Sequence, residues 1–286
     1  MLRRVLIVGG DGKIATAVAH HLAAEGAEVI ATTRRRERVS PTRPFLELPD
    51  LGPLRDLDPG DACLLSASVA SPEAVRHDPE GVRRVNVEAI TAAAEICRAR
   101  RAHVLFLSTN QVFDGTVPRP PADRPTCPVS EYGRQKAEVE DRLRAMGQGV
   151  AILRLARALE RGLPLFVEWK RRLLAGEPIE AFTERTIAPI SYEFLAKVIG
   201  AILAVRGEGV WQVSGNQDLS YFEIAGMLAA RLGADPALVR PTTAAEKGLL
   251  EPSPAHTTLD MGRLTTCLGF QAPFSRAVVE DVLEEL

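Results

Sequence analysis

The sequence predicts a doubly wound parallel α/β sheet, and three observations carry that prediction. An apolar run at residues 4–8 passes through a glycine-rich turn straight into an apolar-periodic stretch at 15–24. Further short apolar runs alternate with helical patterns as far as residue 154, after which the alternation stops. Strands that read as unbroken apolar runs, each followed by a helix, are what crossover connections between parallel strands require.

Taken in order, residues 4–8 are the first strand, and Gly9, Gly10, Gly12, Lys13 and Ile14 make a dinucleotide-binding turn. Gly9 permits the tight turn and Gly12 lets backbone approach a pyrophosphate. The small Ala15 lets the helix pack on the strand, and Gly26 ends that helix. Residues 28–32 form the second strand, which runs into Thr33, Arg34, Arg35 and Arg36. An NAD-binding domain of this kind carries an acid there for the ribose hydroxyls, whereas guanidinium forks suit a 2′-phosphate. NADP(H) is therefore expected in preference to NAD(H), with Arg34 as first partner and Arg35 as second. Residues 45–48 are a weaker strand followed by a proline-punctuated loop, and 62–65 are the next. The small Ser66, Ala67 and Ser68 at its carboxyl end pass beside the cofactor. Asp78 and Pro79 open a helix reaching residue 100.

Residues 103–107 form a buried strand that delivers Ser108 and Thr109 to its carboxyl end. Tyr132 opens the next helix, and Lys136, four residues on, shares its face. A phenol is a poor proton donor and acceptor near neutrality, and an adjacent cation favours its ionised form. Tyr132 and Lys136 are thus candidates both for catalysis and for holding a cofactor. The Thr109 hydroxyl can orient a carbonyl, and Ser108, Thr109, Asn110 and Tyr132 make the candidate substrate set. After a strand at 150–154 the pattern becomes irregular, with a helix at 163–175 that carries Phe166 and Trp169. The helix 192–205 and strand 210–213 return to the main sheet. Ser220 and Glu223 have capping-box spacing, and a helix closes the chain. A cofactor domain of residues 1–155 joined by 192–214 is expected, with 156–191 and 215–286 forming a smaller substrate lobe.

The run STNQVFDG at residues 108–115, followed by YGRQK at 132–136, resembles the extended short-chain dehydrogenase/reductases, and is similar in particular to the dTDP-4-dehydrorhamnose reductases. The resemblance implies a Rossmann fold, with Thr109, Tyr132 and Lys136 as the catalytic set and Asp50 near the adenine. It implies NADPH-dependent reduction of a nucleotide-linked 4-keto sugar. Dehydratases of this superfamily place an Asp-Glu pair after the catalytic Thr, where this chain has Asn110 and Gln111. An epimerase or dehydratase, and a non-catalytic NADP-binding regulatory subunit, are the competing readings. Asn86 matches a structural Val-Asn pair of the family. The Arg-Pro pair expected before Leu259 and Asp260 is missing, and Pro252, Pro254 and His256 stand there instead. The family also implies a homodimer through the helices at 79–100 and 132–144, with Val87, Ile90, Thr91 and Ala94 as a candidate seam.

Composition narrows the partners. A net charge of -2 provides no basic field for nucleic acid. Cys63, Cys97, Cys127 and Cys267 have neither zinc-ligand nor disulfide-framework spacing, so no metal is expected and a reducing cytoplasm fits. The amino-terminal apolar run is too short for a signal peptide, and no later run approaches a membrane span, so a soluble protein is expected.

Overall fold

The computed structural model describes residues 2–249 and 254–286, which leaves Pro252 outside the described residues. Strand β1 (Arg4–Val8) has an apolar run buried on both faces, so it can only sit inside a sheet. It pairs in parallel with β2 (Glu28–Ala31) on one side and with β3 (Ala62–Leu65) on the other. Strand β3 pairs in parallel with β4 (His103–Thr109), and β5 (Val150–Leu155) and the strand Gly209–Val213 complete a six-stranded sheet. Helix α1 (Lys13–Ala24) connects β1 to β2, burying Ala15, Val18 and Leu22 at helical spacing. The chain reverses its direction of travel across the sheet between β1 and β3. Loops at such a switch point splay apart and leave a crevice beyond the strands' carboxyl ends.

The chain divides into two compact units. The first comprises the chain up to Val112, Pro125–Arg154 and Tyr192–Trp211, and holds the sheet. The second comprises Phe113–Arg124, Leu155–Ser191 and the chain from Gln212 onward. Residues 113–124 thus belong to the second unit, although they fall within the 1–155 span expected for the cofactor domain. In the second unit the helices Pro164–Leu174, Tyr221–Leu232 and Ser275–Glu284 contribute to one core, with the parallel pair Ile179–Phe182 and Val239–Thr242. Phe166 and Trp169 are core residues of that unit: both are buried, with ring centroids 5.6 Å apart. The Ser220 and Glu223 capping box forms as expected.

Two elements depart from expectation. Residues 45–48 are no strand: Phe45 makes a single bridge to Thr33, and Pro44 and Pro49 remove the donors that a ladder would need. The single helix expected at 79–100 is three stretches, Pro79–Arg83, a π-helix at Arg84–Ala89 and Ile90–Ala99. Val87, Ile90, Thr91 and Ala94 are all buried, the apolar ones in the core of the first unit. That stripe covers the sheet and offers no dimer seam. No helix among the described residues is long and apolar enough to cross a membrane.

His103 begins β4 with no exposed surface, and burial, helped by the nearby Arg206 charge and opposed by Glu208, lowers its pKa to about 4. Between pH 4 and the ordinary value near 6.5 the unfolded chain binds more protons than the folded one, so stability rises with pH there. It is fully present above the unfolded value and is lost as pH falls toward about 4. Between pH 7 and pH 5 this group should remove about 2 kcal/mol. Urea unfolding of the wild type and of His103→Leu at both pH values tests this. Equal pH losses in the two proteins would disprove it.

Candidate active site

The first unit carries a cleft of about 390 Å³ at the carboxyl ends of its strands, lined by Gly9, Asp11, Gly12, Thr32, Arg34, Arg35, Leu46, Leu48 and the stretch from Ser66 to Ser71. Gly9 has φ +92°, and a Cβ there would come within 2.6 Å of the Ala67 backbone, so fold geometry alone excludes a side chain. Gly12 is different. Its φ of -73° suits any residue, and a Cβ would meet nothing closer than 3.6 Å. The backbone at Gly12 is therefore bare toward open space, and it heads a helix with no side chain capping its first N–H groups. That combination fits a diphosphate at a helix amino terminus. Gly10 hydrogen-bonds through its N–H to the Thr32 carbonyl at 2.9 Å, while Lys13 and Ile14 open the helix.

Arg34 and Arg35 line the cleft, and a third arginine, Arg43, is held to the cleft residue Asp11. Arg43 donates to the Asp11 carboxylate at 3.0 Å, and Arg38 lies 3.9 Å from it. Burial opposes ionisation of Asp11, but hydrogen bonds from the Thr33 hydroxyl and the Arg34 N–H, with the Arg43 charge, outweigh it and hold its carboxyl below the ordinary range. The Arg43 contact could not be found from sequence, because Ser40 to Phe45 is brought to Asp11 by bonding along Ala31 and Thr33 rather than by any local pattern.

Of the residues named from the sequence, Asp50 does not line this cleft, Ser66 lines it with a structural bond of its own, and Ser108 turns away from Thr109. Asp50 is exposed and its carboxylate accepts from the Gly52 N–H at 2.8 Å in a turn just before a short helix, and the cleft is lined by Leu46 and Leu48. Ser66 reaches the cleft, yet its hydroxyl donates to the Val8 carbonyl at 2.9 Å and braces β3 against β1. Ser108, expected at the substrate, is buried and donates to Glu140 at 2.5 Å. Alternation along a strand sends Ser108 and Thr109 to opposite faces, so one strand end cannot present both hydroxyls to one ligand.

Thr109, Tyr132 and Lys136 all lie in the first unit, at the end of β4 and in the first turns of the helix Glu131–Ala145. Ser130 caps that helix, accepting from the Gly133 N–H at 3.0 Å and donating to Gln111 at 3.1 Å. A Cβ on Gly133 would overlap the Gln111 carbonyl oxygen, so glycine lets the helix start press on the turn that follows Thr109. Lys136 is buried; its ammonium donates to the Leu107 carbonyl at 2.8 Å and lies 4.5 Å from the Phe106 ring centre and 5.6 Å from that of Tyr132. The Thr109 hydroxyl accepts from the Gln111 N–H at 3.2 Å and faces the Asn110 amide oxygen at 3.4 Å. Asn86 sits in the π-helix and binds Val69 N–H and carbonyl at 2.7 and 2.8 Å and Gln135 at 2.8 Å, pinning the loop after β3 to the Tyr132 helix.

In the second unit, His256 shares its Nδ1 with Asp218 at 3.2 Å, and Asp218 also accepts from the N–H and hydroxyl groups of Thr257 and Thr258. Pro254 packs beside Gly115, whose carbonyl accepts from the His256 N–H at 2.9 Å. Among the described residues no cluster of His, Cys, Asp or Glu could hold a metal ion.

The RmlD substrate binding domain family matches residues 3–286. The chain is 30% identical over 264 residues to a probable dTDP-4,6-dihydroxy-2-methyloxan-3-one 4-ketoreductase of Streptomyces antibioticus, covering 91% of this chain and 88% of that protein. It is 27% identical over 273 residues to the dTDP-4-dehydrorhamnose reductase of Mycolicibacterium smegmatis, covering 92% and 80%. Its fold matches a crystal structure of dTDP-4-dehydrorhamnose reductase from Bacillus anthracis in complex with NADP, at a TM-score of 0.86 and 17% identity over the whole of both chains. The full-length match and the strand-end threonine facing a Tyr-x-x-x-Lys helix agree, and the chain belongs to the RmlD substrate binding domain family of extended short-chain dehydrogenase/reductases.

Proposed function

We propose that this NAD(P)-dependent oxidoreductase uses NADPH to reduce a keto group on a nucleotide-linked sugar, with dTDP-linked 4-keto sugars as the first substrates to test. The carrying observation is the chemistry beside Thr109. Asn110 and Gln111 form a single 3-10 turn whose amides bond Thr109 and Ser130, and neither residue supplies a carboxylate. With Tyr132 as the proton donor, these two positions add no second acid or base that could drive elimination. The names of the Streptomyces and Mycolicibacterium relatives support a dTDP-linked ketone.

NADPH, when bound, supplies the hydride. Tyr132 gives its phenolic proton to the carbonyl oxygen as negative charge develops there, and the Lys136 ammonium stabilises the phenolate that results. The Thr109 hydroxyl holds the carbonyl in line. Lys136 is kept in place by the Leu107 carbonyl, and the bare backbone at Gly12 receives the diphosphate. Incubated with a ketone panel, the enzyme should consume one NADPH per sugar reduced and, in deuterated water, put no deuterium on ring carbons next to the carbonyl. Ring deuterium without NADPH loss would indicate epimerase or dehydratase chemistry, and no turnover on any ketone would favour the binding-subunit reading.

The preference for NADPH rests on Arg34 and Arg35, with Arg43 and Arg38 offsetting the Asp11 charge. Charge-assisted bonds contribute about 1.5 to 3 kcal/mol, so Arg34→Ala should weaken NADPH binding by about 10- to 160-fold and leave NADH binding nearly unchanged. Fluorescence titration with both cofactors measures this. Equal affinities in the unmutated protein would remove the assignment.

A further inference from the structure

Glu140 lies on the same helix face as Tyr132 and Lys136, two turns beyond the first and one beyond the second. It has no exposed surface, and its carboxylate is held from three elements. Ser108 on β4 donates to Oε1 at 2.5 Å. Arg154 on β5, itself fully buried, donates through Nε to both oxygens at 3.0 and 3.1 Å and through Nη2 to Oε2 at 2.7 Å. Arg144, one helical turn further on, reaches Oε2 at 2.6 Å. No step of the proposed reaction uses this carboxylate.

We propose that Glu140 is a positioning residue: through Ser108 it ties the helix bearing Tyr132 and Lys136 to the strand end bearing Thr109, while Arg154 anchors the same carboxylate to β5. Ser108 stands between Leu107, whose carbonyl accepts from Lys136, and Thr109. Successive strand side chains point to opposite faces, so the bond that Ser108 makes on one side sets the direction in which Thr109 projects on the other. A buried carboxylate tolerates little loss of partners, which makes this joint stiff in a way that an apolar contact, free to slide, is not. Proton transfer needs that stiffness, because small misplacements of catalytic groups cost large factors in rate.

The proposal rests on the reductase reading, and its test separates the two. Ser108→Ala removes the bridge to β4 and leaves the Glu140 and Arg154 pair intact. It should lower kcat by about 10-fold or more while KM and NADPH affinity stay close to wild type, with a loss of thermal stability smaller than that of Arg154→Met because the ion pair remains. Arg144→Ala, whose contact with Glu140 is duplicated by Arg154, should keep kcat within about twofold. Ser108→Cys, nearly isosteric with a weaker donor, should fall between wild type and Ala, and takes over as the readout if Ser108→Ala folds poorly. Unchanged kcat in the Ser108 variants, with wild type active, overturns the proposal and leaves the reductase reading standing. If wild type reduces no ketone, that reading fails by itself, and hydrogen exchange at the Gln111 amide decides the proposal, since that N–H donates to the Thr109 hydroxyl. Exchange about 10-fold faster in Ser108→Ala supports the tie, and unchanged exchange overturns it.

Discussion

Tyr132→Phe is expected to lower kcat by about 10²- to 10⁴-fold, the range that a positioned general acid contributes, while NADPH affinity and thermal stability stay at wild-type levels. The change removes one hydroxyl from a half-buried ring and keeps the ring itself. The ring is the part beside which the Lys136 ammonium sits, at 5.6 Å, and Lys136 keeps its bond to the Leu107 carbonyl whether or not the hydroxyl is present. Only an interaction realised as charge develops on the substrate oxygen is lost, so kcat and kcat/KM should fall together. Steady-state kinetics with a reduced ketone and a parallel cofactor titration check this. Near-normal turnover in the variant would move the proton donor to another group.

The largest effect on stability is expected at Arg154. Arg154→Met leaves the fully buried Glu140 carboxylate with Ser108 and the half-exposed Arg144, and breaking one side of a buried ion pair costs about 3 to 5 kcal/mol. Arg144 should keep the loss toward the lower end of that range. Replacing both partners, Glu140→Met with Arg154→Met, removes the stranded charge and should recover most of the stability, since apolar side chains of similar length replace a pair that itself bore a desolvation cost. Urea unfolding of the two single variants and the double variant measures the coupling. Additive losses in the double variant would show that the pair contributes nothing as a pair.

The candidate cofactor cleft and the candidate catalytic residues were legible in the sequence to different degrees, and the difference follows the range of the contacts. Gly9, Gly12, Arg34 and Arg35 were readable because a strand, a tight turn and a helix amino terminus are consecutive in the chain, so spacing encodes the cleft that they line. Tyr132 and Lys136 were readable for the same reason, being one helical turn apart. Glu140, a further turn on, obeys the same rule and could have been found by extending it.

Residues whose roles depend on who faces them could not be read. Asp50 looks available for a ligand until the Gly52 N–H is seen to occupy it, and Ser108 looks like a partner of Thr109 until Glu140 is seen beneath it. The apolar stripe of Val87, Ile90, Thr91 and Ala94 has one periodicity whether it meets a sheet or a second subunit, and only packing showed that it meets the sheet. The sequence by itself determined the alternation of buried strands and helices, the glycine turn from strand into helix and the Tyr-x-x-x-Lys face, because each is encoded by neighbours within a few residues. Only the tertiary structure decided that Arg43 joins Asp11 across 32 positions, that residues 113–124 pack with the second unit, and that Glu140 joins strand to helix. Those contacts are set by which elements lie side by side, and spacing along the chain carries no record of that.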